Sequence, residues 1–158
     1  MDTVKGKRTS RSSLLVLTER KTREELIYKL EENCAEAVVQ VIDALEEQFK
    51  EKFKDVFKSI TCDNGTEFSF GDLIEKSKLN EGNRTSLYYC HPYSSFERGS
   101  NEVDNKMIRR HIPKYTCFDN KLVEDIKGIE TWINNYPRKM FEYKSSLELF
   151  ALEMANIP

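Results

Sequence analysis

Residues 13–19, SLLVLTE, hold an unbroken apolar run from Leu14 to Leu17, without the alternation of a strand that has one wet face. Such a run is expected of a strand buried on both sides. Residues 24–30 (EELIYKL) read as its neighbour, joined to it by the short polar turn Arg20-Lys21-Thr22-Arg23. Asp2-Thr3-Val4 reads as the end of a first strand.

Working outward, residues 34–53 form the clearest helix, with Val38, Val41/Ile42, Leu45, Phe49 and Phe53 at helical spacing. Asn33 fits its N-cap, with Glu36 three residues on. The charged run EEQFKEKFK reads as the solvated face of that helix. Residues 57–62 (FKSITC) form a strand that stops at Asp63-Asn64-Gly65. A helix is expected over 68–80, a loop over 80–84 from its composition, and a strand over 86–90 (SLYYC). A further helix starts at the capping pair Ser94/Glu97 and continues to Arg110; two more cover 121–135 and 145–154, separated by Tyr136-Pro137. The order is that of an α/β domain: a mixed sheet flanked by helices on both faces.

The 158 residues fit a single domain, 1–158, large enough for a real core. No apolar run approaches the roughly 20 residues of a membrane span, and the basic start MDTVKGKRTSRSS lacks the apolar stretch of a signal peptide. A cytoplasmic protein is expected, with Cys34, Cys62, Cys90 and Cys117 as free thiols; none forms a CxxC pair suited to zinc. The formal net charge of −2 argues only weakly for a nucleic-acid partner, although clustered active-site carboxylates lower net charge and bound cations reverse their local sign.

Two carboxylates stand out. Asp63 lies where an apolar strand ends, the place where α/β sheets gather ligands. Asp-Asn-Gly is equally an ordinary turn. Glu102 lies on the helix after the last strand, with Asn105/Lys106 and Arg109 following on its face. That stripe suits a metal ligand beside phosphate contacts, or a plain exposed Glu–Lys pair. Cys90-His91 reads as a strand-end pair rather than a catalytic dyad, His91 as structural, Trp132 as core, and Tyr88 and Tyr89 as packing groups. Arg138 and Lys139 read as DNA contacts or as a solvated helix end.

The segments MDTVKG (1–6), LLVLTERKTR (14–23), TCDNGTEF (61–68), YYCHPYSSFERGSNEVDNKMIRRHIPK (88–114) and WINNYPRK (132–139) resemble, in order, the transposases of the IS-thirty family of bacterial insertion sequences. The resemblance implies a ribonuclease-H-like fold and an Asp-Asp-Glu triad: Asp2 in MDTVKG, Asp63 in CDNG and Glu102 in GSNEVDN, the last framed by Gly99 and Asn105. It implies magnesium or manganese as cofactor, two ions held by the triad, and DNA as partner, with Lys106, Arg109, Arg138 and Lys139 as contacts. It also implies action as a homo-oligomer, with no membrane partner, and an amino-terminal DNA-binding region that this chain lacks. Tyr136 stands where the family usually has Arg, and Ser145-Ser146 where Thr-Pro is usual. Such an enzyme cleaves and joins DNA through two ions roughly 4 Å apart that activate the nucleophile and stabilise the leaving oxygen. The rival readings are a silent DNA-binding or assembly module of the same fold, and a ribonuclease-H-type nuclease.

Overall fold

The computed structural model of the protein describes residues 1–91 and 99–157, without the side chains of 99–102 and 104. Strands β1 (Asp2–Lys5), β2 (Ser13–Thr18) and β3 (Glu25–Leu30) form an antiparallel sheet in that order, with Val4 opposite Leu14 and Val16 opposite Ile27. Helix α1 (Ala35–Phe49) and the short α2 (Phe53–Val56) follow. Strands β4 (Ser59–Cys62) and β5 (Ser86–Tyr89) pair in parallel, separated in sequence by α3 (Gly71–Glu75). Helices α4 (Gly99–His111), α5 (Val123–Asn135) and α6 (Ser146–Ala155) complete the mixed α/β domain. The amine of Met1 donates to the Thr61 carbonyl at 2.7 Å, joining the start of β1 to β4 across the two sheets.

The apolar run of β2 is buried throughout, as its sequence requires. Leu15 and Leu17 enter a core with Val38, Ile42 and Leu45 of α1 and with Ile60, Cys62 and Phe68. Leu14 and Val16 enter a second core with Met107 and Ile108 of α4, Ile112 just beyond it, and Ile126 and Ile133 of α5. Helices therefore cover both faces of β2.

Several expectations are corrected. The helix expected over 34–53 breaks at Lys50, whose φ is 52°, and resumes as α2 after a 3-10 turn. The break turns Phe53 into the core, 1% exposed, with its ring stacked on Phe57 at 4.7 Å. Asn33 does not cap α1; the N-cap is Cys34, without a side-chain bond, and Asn33 accepts a hydrogen bond from Ser13 Oγ instead. The helix expected over 68–80 is only α3. Arg84, from the segment read as a loop, is 1% exposed and donates to the carbonyls of Leu73 and Ile74, satisfying the end of α3 as a C-terminal cap does. The same guanidinium pairs with Asp43 at 2.7 Å and Glu46 at 3.0 Å. Glu46, read as part of a solvated face, is consequently buried. Trp132 is 39% exposed rather than core. It lies one residue, and so about 100° around the helix, from the buried Ile133, and its ring sits between His111 and Tyr136. Tyr88 and Tyr89 are exposed, Tyr89 donating through its hydroxyl to the Phe68 carbonyl. Cys34, Cys62, Cys90 and Cys117 form no disulfide with one another. Ser94 and Glu97 lie outside the described residues. Among those described, no helix is long and apolar enough to cross a membrane.

The outer edge of β3 is closed by side chains of α5. Asn134 accepts from the Glu25 N–H at 2.9 Å and donates to the Glu25 carbonyl at 2.8 Å, while Glu130 accepts from the Ile27 N–H at 2.6 Å. An unpaired strand edge is a site of wrong pairing, and these bonds cover it. Asn134→Leu leaves both backbone groups of Glu25 unsatisfied in a buried place and is expected to lower stability by about 2–4 kcal/mol. Urea unfolding measures this, and a loss well under about 1 kcal/mol would contradict the assigned role.

Candidate active site

Asp2 opens β1 half-buried. Its Oδ1 accepts from the Thr3 N–H at 2.8 Å and its Oδ2 from Asn105 Nδ2 of α4 at 2.7 Å. Asp63 follows the end of β4, also half-buried, with Oδ1 accepting from the Gly65 N–H at 2.9 Å. Asn64 beside it donates to the Cys90 carbonyl at 2.9 Å, tying the ends of β4 and β5 together. The bond from Met1 to Thr61 lies one residue before Asp2 and two before Asp63, so both aspartates flank the point where β1 and β4 meet. Glu102 lies on α4 one turn before Asn105, the residue that holds Asp2; its side chain is outside those described. Among the described residues, no three His, Cys, Asp or Glu side chains gather as a metal-holding group.

A fourth carboxylate, Glu67, went unassigned in the sequence. It is 4% exposed, accepts from Thr3 Oγ1 at 2.5 Å and pairs with Lys5 Nζ at 3.2 Å, so it ties the loop after Asp63 to β1. Gly65 fits between the two acids: a Cβ there would meet Glu67 Oε2 at 2.8 Å and Asp63 Oδ1 at 2.9 Å. The signal was an acid next to the apolar Phe68 directly after a turn, but nothing local named its partners on β1.

The basic residues divide by place. Lys106 and Lys139 are exposed. Arg109 is half-buried and donates through Nη2 to the Lys5 carbonyl at 2.7 Å; its Nη1 is buried without a hydrogen-bond partner, and burial lowers its pKa. Arg138 is buried, donating to the Arg23 carbonyl at 3.3 Å and lying close enough to Glu24 for its charge to act there. That placement makes it a tie between segments rather than a surface contact. His91 is exposed beyond β5.

Two buried glutamates respond to pH in opposite senses. Burial, helped by the negative charge of Glu130 and opposed by Arg138, pushes Glu24 up from its ordinary 4.5 to about 7. The folded state then binds this proton more tightly than the unfolded chain does, so stability falls as the pH rises from 4.5 through about 7. Glu24→Gln is expected to raise the thermal midpoint at pH 8 and to leave it nearly unchanged at pH 4, on the order of 1–3 kcal/mol apart. An equal effect at both pH values would contradict it. Burial also pushes Glu67 upward, but bonds from Thr3 and Lys5 outweigh it and hold the carboxyl below its ordinary 4.5. Its contribution is present above that pH and is lost as the pH falls below it. Glu67→Gln is expected to cost about 1–3 kcal/mol at pH 7, with the gap from wild type narrowing under acid in denaturant titrations; a gap that widens under acid would refute the sign.

The site is thus an acidic one, set where two strands of an α/β domain meet and backed by a helix bearing basic residues. No protein-family model matches the chain. The probable transposase for the insertion-like sequence element IS1161 of Streptococcus salivarius is 37% identical to it over 150 residues, 93% of this chain and 39% of that protein. The transposase for insertion sequence element IS4351 of Bacteroides fragilis is 34% identical over 151 residues, 95% of this chain and 43% of that protein. Transposase InsI for insertion sequence element IS30A of Escherichia coli (strain K12) is 30% identical over 148 residues, 94% and 36% respectively. The chain belongs with the IS30-type transposases and spans less than half the length of these relatives.

Proposed function

We propose that this chain is the catalytic core of a DDE-type transposase, cleaving and joining DNA at insertion-sequence ends with divalent metal ions. The observation that carries the reading is the bond from Asn105 to Asp2, which sets the turn of α4 bearing Glu102 beside the first aspartate, near the strand junction flanked by Asp63. The strand order β3-β2-β1, with β4 and β5 placed next by the Met1–Thr61 bond, supports a ribonuclease-H-like arrangement. The relatives' printed names support the activity class.

The donor set fits the ion. Asp2, Asp63 and Glu102 offer only oxygen, which magnesium and manganese favour. Bound there, the metal would supply charge neutralisation and an activated water or 3′-hydroxyl. The chain's own residues do the positioning. Asn105 and the Thr3 N–H orient Asp2, the Gly65 N–H orients Asp63, and Glu67 holds the loop against β1. Lys106 is an exposed cation on α4 for a DNA phosphate, and Lys139 is another beyond α5. No protein nucleophile is needed.

The test is metal-dependent nicking and strand transfer on DNA carrying the element's ends. Asp63→Asn is expected to keep the fold and to lower the rate at least a thousandfold, a drop on the order of the several kcal/mol that metal-assisted charge stabilisation supplies. Undiminished cutting by that variant would refute the mechanism. A wild-type chain that bound DNA but neither metal nor cleaved would instead favour the silent module.

A further inference from the structure

Residues 5–11 (KGKRTSR) and 105–118 (NKMIRRHIPKYTCF) contain eight lysines and arginines and no aspartate or glutamate, in a chain of net charge −2. The fold staples these two segments together. The Lys7 N–H donates to the Thr116 carbonyl at 2.9 Å, and Arg109 Nη2 to the Lys5 carbonyl at 2.7 Å. Gly6 lies so near that a Cβ would come within 2.5 Å of the Thr116 carbonyl and 2.6 Å of the Phe118 ring. At the far end of the hairpin, Asp119 accepts from Ser10 Oγ and from the N–H groups of Arg11 and Ser12, so the adjacent acid is engaged by the backbone rather than by a cation.

The result is one exposed strip made by Lys7, Arg8 and Arg11 of the β1–β2 hairpin and by Lys106, Arg110 and Lys114. Arg11 pairs with Glu32 at the surface at 3.1 Å. The other five make no ion pair with a described residue. Fixed, like-charged groups repel, and a polyanion laid along them relieves that repulsion while releasing its own counterions. The strip also has a direction. It runs from Lys5, on the strand that opens with Asp2, and from Lys106, the residue after the one that holds Asp2.

We infer that the β1–β2 hairpin is a phosphate-backbone contact for duplex DNA, with Lys7 and Arg8 as its principal groups, continuing the path of the strand that reaches the carboxylates. The choice of DNA as the polyanion rests on the function proposed above; the cationic strip does not. Both side chains are exposed and unbonded to the core, so their loss leaves the fold intact, which circular dichroism and the thermal midpoint verify.

The experiment is fluorescence anisotropy of a labelled duplex with the full chain in a chelator, so that metal plays no part. Lys7→Ala/Arg8→Ala is expected to weaken binding about tenfold or more and to reduce the slope of log affinity against log salt by about 2. A matched control, Lys54→Ala/Lys58→Ala, removes two exposed cations beside β4 and is expected to change little. Unchanged affinity and slope in the hairpin variant, an equal loss in the control, or no duplex binding by the wild type at low salt would each overturn the inference. Asp63→Asn in the same assay separates the two proposals: it is expected to bind at least as well as wild type. If it also cuts when metal is restored, the catalytic reading fails and the strip stands; if the hairpin variant binds normally while cutting still requires Asp63, the strip alone fails.

Discussion

Strand β2 has no side that faces water. Leu15 and Leu17 point into one core and Leu14 and Val16 into the other, each residue representing roughly 1.5–3 kcal/mol of burial. A sheet with such a strand at its centre needs a layer on each face, and α1 supplies one while α4 and α5 supply the other. The site follows from that demand. Helix α4 lies where it does because its Met107 and Ile108, with Ile112 just after it, pack in one core with Leu14, Val16 and Val4. The neighbouring stripe of the same helix then delivers Asn105 to Asp2 and Arg109 to Lys5. Apolar burial sets the helix against β1, and polar bonds use the register it creates.

Where the apolar layers end, buried polar groups take over, and two sets of them are answered by specific partners. Asn134 and Glu130 of α5 occupy the donors and acceptor that the edge of β3 leaves open. Arg84 closes the end of α3 and brings two acids of α1 into a largely buried ion-pair cluster. Such a cluster loses hydration on both sides, so it fixes position more than it adds stability. Here what it fixes is the segment 71–85, which carries the chain from the loop after Asp63 to β5 and so sets the partner strand against which β4 ends.

These details divide what was legible in the sequence from what was not. The run at Leu14–Leu17, the spacing of Val38, Ile42 and Leu45, and the strand-end position of Asp63 are local patterns, and each describes its environment directly. Lys50, Arg84, Glu67 and Trp132 are different. A helix break that turns Phe53 into the core, an arginine buried by acids some forty residues away, and a glutamate whose partners lie more than sixty residues back depend on contacts that no window of sequence contains. Trp132 shows the limit within a single helix: one step from Ile133 is enough to leave the buried stripe. The expectation that Asp2 shares a site with the later carboxylates was likewise not in the spacing, and only likeness to a family suggested it.

Asp2 lies in one sheet and Asp63 just past a strand of the other, and the backbone ladders run within each sheet. Bonds that cross the junction run from Met1 to Thr61 and from Thr3 and Lys5 to Glu67, while Asn105 of α4 holds Asp2. Every one of these ends on β1 or on Met1 just before it. The strand acts as the common reference against which the Asp63 loop and α4 are both placed. A displacement of β1 would shift Asp2 relative to the Asp63 loop and to α4. Glu67 resists that displacement from the inside, because its charge is buried and its bonds to Thr3 and Lys5 are charge-assisted, a stronger kind than neutral ones. The strand that carries Asp2 and the loop that follows Asp63 are in this way tied to one another through the backbone and a buried charge.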